Sequence, residues 1–222
     1  MSFVRTGMIV AFVMAAAPAL AQPPAAPAAP ARPNALVEFP AKDSAKLEVK
    51  TAAWMDGGDI PWEFTQYRFN SFPGLMWSAG PSGTKTYAVI MQHTDGVARG
   101  APILHWTLYN IPSSVTLLQP GMAATANPPG SSYGPNYRGT SQPYLGPRTP
   151  AGPKHHYHLQ VFALDTALTA DPAITYDALV NQMKGHILAS GEVVGLGSVD
   201  PTAPPPPPRP ATPPAAATPT PK

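Results

Sequence analysis

From residue 155 to 164 the chain alternates with a period of two: Tyr157, Leu159, Val161 and Ala163 fall on one side, His156, His158, Gln160 and Phe162 on the other. That is the spacing of a β-strand with one buried face, and His155 is in phase with the apolar set. Gly146-Pro147 and Gly152-Pro153 mark turns on the approach. A second strand is predicted over residues 103–111, ILHWTLYNI, which sets His105 among large apolar residues and stops at Pro112. Residues 47–54 and 86–93 predict two more strands, separated by Gly/Pro-rich segments. One helix is expected where Tyr176, Leu179, Val180, Met183, Ile187 and Leu188 recur at helical spacing. Its start is capped either by Asp171, ahead of Pro172, or by Thr175. Residues 120–153 have few apolar positions in any period, and a loop of that length is functional or mobile. The pattern as a whole predicts a mainly β protein, a two-sheet β-sandwich with a short helix at its C-terminal end. Two of its strands carry histidines inward.

The flanks change the picture of where the domain ends. Residues 1–21 read as a signal peptide: a basic start at Arg5, an apolar run over 8–17, and Ala19-Leu20-Ala21 as the cleavage signature. The apolar run is shorter than the ~20 residues a spanning helix needs, and no other segment approaches that length, so no transmembrane segment is expected after cleavage. The exported product is placed in the periplasm or outside the cell. The chain has no cysteine, so its core must supply stability without disulfides. Of 32 prolines, five fall between Pro23 and Pro33 and eleven between Pro201 and Pro221, so half lie outside any plausible core. The expected organisation is a Pro/Ala-rich linker over 22–35, one domain over 36–198, and a Pro-rich disordered tail over 199–222. The tail, with its run from Pro204 to Pro208, suits polyproline II, either as a spacer or as a docking ligand for an aromatic groove.

Charge and motifs then exclude several function classes. A formal net charge of +2 without a Lys/Arg cluster gives no field to attract nucleic acid. There is no G-x-S-x-G elbow, H-E-x-x-H helix, Walker loop or dinucleotide fingerprint, so no enzymatic activity is assigned and no cofactor is expected. The paired carboxylates of a glycosidase would have to come from Asp56, Asp59, Glu63 and Asp95. Trp54, Trp62, Trp77 and Trp106 are expected in the core. His156 and His158 belong on the solvated face of their strand, and His186 packs or faces water.

Several motifs in fixed order resemble the phosphatidylethanolamine-binding protein family, and within it the small bacterial Raf kinase inhibitor-like members. That family's HW-x-x-x-N-I is similar to His105-Trp106 with Asn110-Ile111. Its Y-x-G-P followed by H-R-Y is similar to Tyr144, Gly146, Pro147, His155 and Tyr157. Its S-P-x-L-x-W and P-x-G-T resemble Pro73, Leu75, Trp77, Pro81, Gly83 and Thr84, and its G-H-x-L-A resembles Gly185, His186, Leu188 and Ala189. The resemblance spans residues 47–195. It implies a two-sheet β-fold with a ligand cleft near the C-terminal helix. It also implies an anion pocket at Asp95, His105, Gly146, Pro147 and His155, with Tyr144 near the mouth. Relatives that bind phospholipid head groups or modulate kinases and proteases are implied too, without a specific partner.

The residue types agree with that pocket. A neutral imidazole donates one hydrogen bond and a charged one two, and Gly146 would let a ligand approach the backbone closely. The expected ligand is a small anion: phosphate, a phosphoryl head group or a carboxylate. Asp95 would accept from an imidazole and raise its charged fraction. The chain departs from the family's D-P-D-x-P, which falls on residues 93–97 and retains only Asp95; His93 stands at the first, pocket-facing position. His93 therefore joins the candidate site and opens a second reading. His93, His105, His155 and Asp95 form a zinc- or copper-type donor set, or a hydrolytic site, with His93 and Asp95 on one strand face. A third reading is an envelope interaction module acting through the Pro-rich tail.

Overall fold

The computed structural model describes residues 33–98, 101–122 and 127–204. The expected signal peptide, most of the linker, and the tail from residue 205 lie outside the described residues. Two sheets make the frame. The larger has six strands in the order β2 (Gly58–Asp59), β9 (Ile187–Gly197), β8 (His155–Leu164), β4 (Thr86–Ala98), β5 (Ala101–Pro112) and β7 (Ser132–Tyr133). The smaller has three, in the order β1 (Val49–Lys50), β3 (Leu75–Trp77) and β6 (Leu117–Leu118). Among the described strands all pairings are antiparallel except β2 with β9, and an isolated parallel bridge joins Lys46 to Ser190. A short 3-10 turn, Trp62–Phe64, follows β2. Among the described residues no helix is long and apolar enough to cross a membrane.

The central strands are buried on both faces, which is why their sequences read as nearly continuous apolar runs. From β4, Tyr87, Val89 and Met91 point toward the small sheet, where they meet Val49, Leu75, Trp77 and Leu118. Ala88 and Ile90 point the other way, into a second apolar layer with Phe162, Leu164, Leu179, Val180 and Met183. Strand β8 follows the same parity. Its second face is thus buried as well, with Gln160 and Phe162 both 0% exposed. His158 shares that covered face and is half-buried, paired with Glu192 at 2.9 Å and with the Thr94 hydroxyl at 3.1 Å. The expectation that His158 is solvated is corrected by this second layer, whereas His156 and His186 do face water.

The helix α2 (Tyr176–Met183) is capped by Thr175, whose hydroxyl accepts from the Ala178 N–H. It is shorter than the periodicity predicts. Gly185 turns the chain at φ +80°, and Ile187 and Leu188, expected on the helix, open β9 instead. Strand β9 was invisible to the alternation rule because three of its inner positions are glycines against which neighbours press. A Cβ on Gly191 would collide with the Leu47 carbonyl, on Gly195 with Ile60 and Trp54, and on Gly197 with Thr149 and Tyr157. At the other end of the sequence, the predicted strand over 47–54 is only two residues long.

A four-residue helix, α1 (Ala35–Glu38), seals the second layer. So short a helix is not stable alone, and its first N–H groups need outside acceptors. They find them in the sheet: Ala35 N–H donates to Gln92 Oε1 at 2.7 Å and Leu36 N–H to Gln160 Oε1 at 2.6 Å. Gln160 Nε2 also donates to Gln92 Oε1 at 3.0 Å, and Gln92 Nε2 to the Tyr176 hydroxyl at 3.1 Å. Two buried glutamines, costly if unpaired, thereby fix the N-terminal segment. Beyond β9, Asp200 is enclosed and bonded to Arg68 at 2.6 Å, which holds its carboxyl down to about 2.

Candidate functional site: a histidine recess at one end of the large sheet

Three adjacent strands bring three imidazoles to one end of the inter-sheet core. His93 lies on β4 in phase with Tyr87, Val89 and Met91, and His155 opens β8 in phase with Tyr157. His105 arrives by a different device. Along β5, Trp106 pairs with Met91 and Leu104 with Gln92, leaving His105 as an extra residue in a β-bulge. Bulges re-aim side chains, and this one lets His105 enter the histidine cluster beside the buried Trp106. The spacing of residues 103–111 alone carries no sign of it.

The rings are in contact. His93 Nε2 and His155 Nδ1 share a 2.7 Å hydrogen bond. The His93 ring stacks on Tyr157 at 4.6 Å, and His105 meets Tyr157 edge-on at 5.2 Å. His105 is 3% exposed, and its Nδ1 donates to the Leu145 carbonyl at 2.9 Å. A carbonyl only accepts, so that nitrogen carries the proton and Nε2 is left for a ligand. Burial pushes the His105 pKa down to about 4, against the pull of the Leu145 and Gly146 carbonyls. Burial does the same to His93, also to about 4, with His105 and His155 adding to it and Asp95 opposing. Tyr157 is pushed up to about 12 by burial, with the Thr149 hydroxyl, 3.0 Å away, opposing. At neutral pH His93, His105 and Tyr157 are therefore uncharged.

Asp95 takes a different place from the one expected. After His93 the next β4–β5 pair is Val97 with Pro102, so residues 94–96 leave the ladder together. This breaks the alternation that would have put Asp95 on the face of His93. Its carboxylate accepts from the backbone N–H of His156 and from His156 Nδ1 at 2.9 Å, on the exposed side. Burial alone would raise the Asp95 pKa, yet those bonds hold it below the ordinary carboxylate value. Gly96 returns against the His93 ring, where a Cβ would lie 2.6 Å from Cε1.

The segment carrying Tyr144, Gly146 and Pro147 forms one wall, with Tyr144 buried rather than at the mouth where it was expected, and the Cα of Gly146 packed against the chain. Its N–H donates to Asn70 Oδ1 at 2.7 Å, its carbonyl accepts from Gln66 Nε2 at 2.6 Å, and the Phe64 carbonyl fills the space beside its Cα. Tyr144 is buried in the wall, its hydroxyl donating to Phe64 O at 3.1 Å and its ring edge-on to Phe72 and Trp106. Tyr137, missed by the sequence reading, stands at the mouth: it is 47% exposed and meets His105 edge-on at 5.3 Å. Gln66, Tyr67 and Thr149 complete the surround, with the Tyr67 hydroxyl bonded to the Thr149 carbonyl. No polar periodicity distinguishes these three in the sequence.

Two expectations about placement are corrected. The helix α2 packs on the opposite face of the large sheet from the histidines, so the recess is not beside it. Trp62 lies half-exposed beneath Arg68 rather than in the core. Two hollows lie elsewhere: one of about 360 Å3 beside α1 and one of about 380 Å3 between Phe69 and Tyr144. Neither is lined by a histidine, and donor geometry rather than volume places the candidate site at the imidazoles. Among the described residues no three His, Asp or Glu side chains are arranged to hold a metal ion. His93 and His155 bond to each other, and Asp95 is engaged by His156. Of the carboxylates weighed for a glycosidase, Asp56, Asp59, Glu63 and Asp95, Asp56 accepts from Val194 N–H, Asp59 pairs with Lys154 and Asp95 is engaged by His156.

Comparison with known proteins identifies relatives of this fold. A family model for phosphatidylethanolamine-binding proteins matches residues 50–198. A UPF0098 protein of Methanothermobacter thermautotrophicus is 33% identical over 151 residues, 68% of this chain and 97% of the relative. A Mycobacterium tuberculosis protein named as lipoprotein LppC is 34% identical over 140 residues, 61% of this chain and 64% of that one. Among solved structures, Escherichia coli YbcL, described as a member of the mammalian PEBP family, superposes with a TM-score of 0.64 at 26% identity. The match covers 70% of this chain and all of YbcL.

Proposed function

The chain belongs to the phosphatidylethanolamine-binding protein family, and from that premise we propose that it is an envelope protein whose histidine recess binds a small anionic group, phosphate-like or carboxylate-like. The observation that carries the reading is the convergence of His93, His105 and His155 with no carboxylate among them, since Asp95 is turned to His156. Nε2 of His105 and Nε2 of His155 have no hydrogen-bond partner among the described residues and are the nitrogens left for a ligand. Each imidazole that takes a proton gains a donor and a charge in a water-poor setting, where an anion is held by charge-assisted hydrogen bonds. Pro147 is buried in the same segment, its carbonyl accepting from Gln66 N–H, and Tyr144 is anchored to Phe64 O. No reaction is assigned. The resemblance to a protein named as a lipoprotein supports an envelope location, consistent with the export signal read at residues 1–21.

The test is imidazole NMR of the protein titrated with inorganic phosphate at pH 6, with a parallel titration of zinc. Saturable shifts at His105 and His155, lost in the His105→Ala/His155→Ala variant, are the expected result. Unchanged phosphate binding in that variant would remove the reading. Silence with phosphate alongside tight zinc-induced changes at His93, His105 and His155 would replace it with metal binding.

A further inference from the structure

Two arginines stand at the mouth of the recess, and neither has a carboxylate partner among the described residues. Gln66 ties both to it. Arg138 Nη2 donates to Gln66 Oε1 at 3.0 Å, and Arg148 Nη1 donates to the Gln66 carbonyl at 3.4 Å. The same Gln66 bonds inward, to the Tyr137 hydroxyl at 3.1 Å and to the Gly146 carbonyl at 2.6 Å. Arg138 lies 5.9 Å from the Tyr137 ring, whose edge-on contact reaches His105, and Arg148 lies 5.1 Å over the Tyr67 ring. Each guanidinium is thus one aromatic ring from the recess wall. Arg68 differs: it is consumed by Asp200.

Resting on the anion-binding reading, we infer that the ligand carries a second anionic group, and that Arg138 and Arg148 receive it at the rim while the imidazoles hold the first. Both arginines are exposed, so their guanidinium forks are free to swing from Gln66 to a carboxylate, and a planar fork suits a carboxylate better than an ammonium does. The recess then selects for compactness and the rim for net negative charge, which favours a phosphate ester bearing a carboxylate over one bearing only an amine. Such a ligand exists in two forms with shared chemistry: a soluble phosphorylated amino or hydroxy acid, or a lipid head group with phosphate and carboxylate.

A minimal pair separates the rim from the recess. O-phosphoserine and phosphoethanolamine differ by one carboxylate, and calorimetric titration of the full chain at pH 6 is expected to favour O-phosphoserine by roughly tenfold. The gap is expected to narrow as salt rises and to close in Arg138→Gln/Arg148→Gln. Equal affinity for the two ligands overturns the rim inference while leaving the recess reading intact. Binding of neither, nor of inorganic phosphate, overturns both. In a second arm, selective retention on vesicles containing phosphatidylserine over those containing phosphatidylethanolamine assigns the same chemistry to a lipid source. A preference confined to the soluble pair assigns it to a free metabolite.

Discussion

Gly146→Ala is expected to destabilise the domain by about 3 kcal/mol or more and to disable the recess with it. Backbone conformation is not the cause, since the φ of Gly146 is ordinary. The obstacle is space: an added Cβ would lie closer than 3.0 Å to the Phe64 carbonyl oxygen and 3.0 Å from Asn70 Oδ1. That carbonyl belongs to the turn after β2 and cannot rotate away as a side chain would. It is also the acceptor for the buried Tyr144 hydroxyl, and Asn70 Oδ1 is the acceptor for the Gly146 N–H. One methyl group therefore adds overpacking to the loss of two enclosed hydrogen bonds. In a domain of this size the loss corresponds to a fall in Tm of about 10 °C, and anion titration of the refolded variant should show weakened binding because Leu145 O no longer holds His105. A midpoint within 2 °C of the parent in thermal unfolding would mean that the wall yields and the close approach is not a constraint.

Acid is expected to remove about 3 kcal/mol of stability through His105 alone between pH 6.5 and about 4. The folded protein holds this imidazole neutral, so its pKa of about 4 lies below the ordinary 6.5 of an unfolded chain. On acidification the unfolded chain takes up the proton first. The contribution is fully present above pH 6.5, falls as the pH drops, and is exhausted below about 4. His93, lowered by burial in the same direction, steepens the slope. The informative window is pH 6.5 to 5, where most carboxylates are still charged. There, urea unfolding should show stability falling with pH, and His105→Gln, which keeps a donor for Leu145 O, should flatten the curve. A bound anion has the opposite effect. It favours the charged imidazole, raises the folded-state pKa and restores stability, so phosphate should protect most at pH 5 and little at pH 8. Stability that stays level from pH 6.5 to 5 would contradict a neutral, water-poor His105.

What could be read from the sequence depended on whether a position's role was local. Alternation in residues 155–164 located β8 and put His155 and Tyr157 on the inner face, because both are set by the parity of one strand. The Thr175 cap was legible for the same reason. His105 was placed inward correctly, but through a bulge whose existence depends on pairing with β4, and strand periodicity does not encode a partner's register. Asp95 failed on the same ground: the departure of residues 94–96 from the ladder turned it outward. Strand β9 was hidden because its inner face is made of glycines whose neighbours come from elsewhere in the chain. Tyr137, Gln66 and Thr149 gain their roles only when the long loop and the segment after β2 meet, and no spacing announces that meeting. The family motifs convey the overall fold, while the lowered pKa values of His93 and His105 follow from burial that only the folded chain supplies.

The glutamine pair under α1 has a consequence for how the N-terminal segment breathes. In a helix of four residues the leading amides ordinarily exchange with solvent deuterium almost as fast as in an open chain. Here the Ala35 and Leu36 amides end on Gln92 and Gln160, side chains of the two strands at the centre of the sheet. Their exchange should be governed by openings of that sheet rather than by fraying, with protection closer to that of Ile90 than to that of a loop. Measured by amide exchange NMR, slow exchange at residues 35 and 36 would make the point where the flanking segment meets the domain as rigid as the core beneath it.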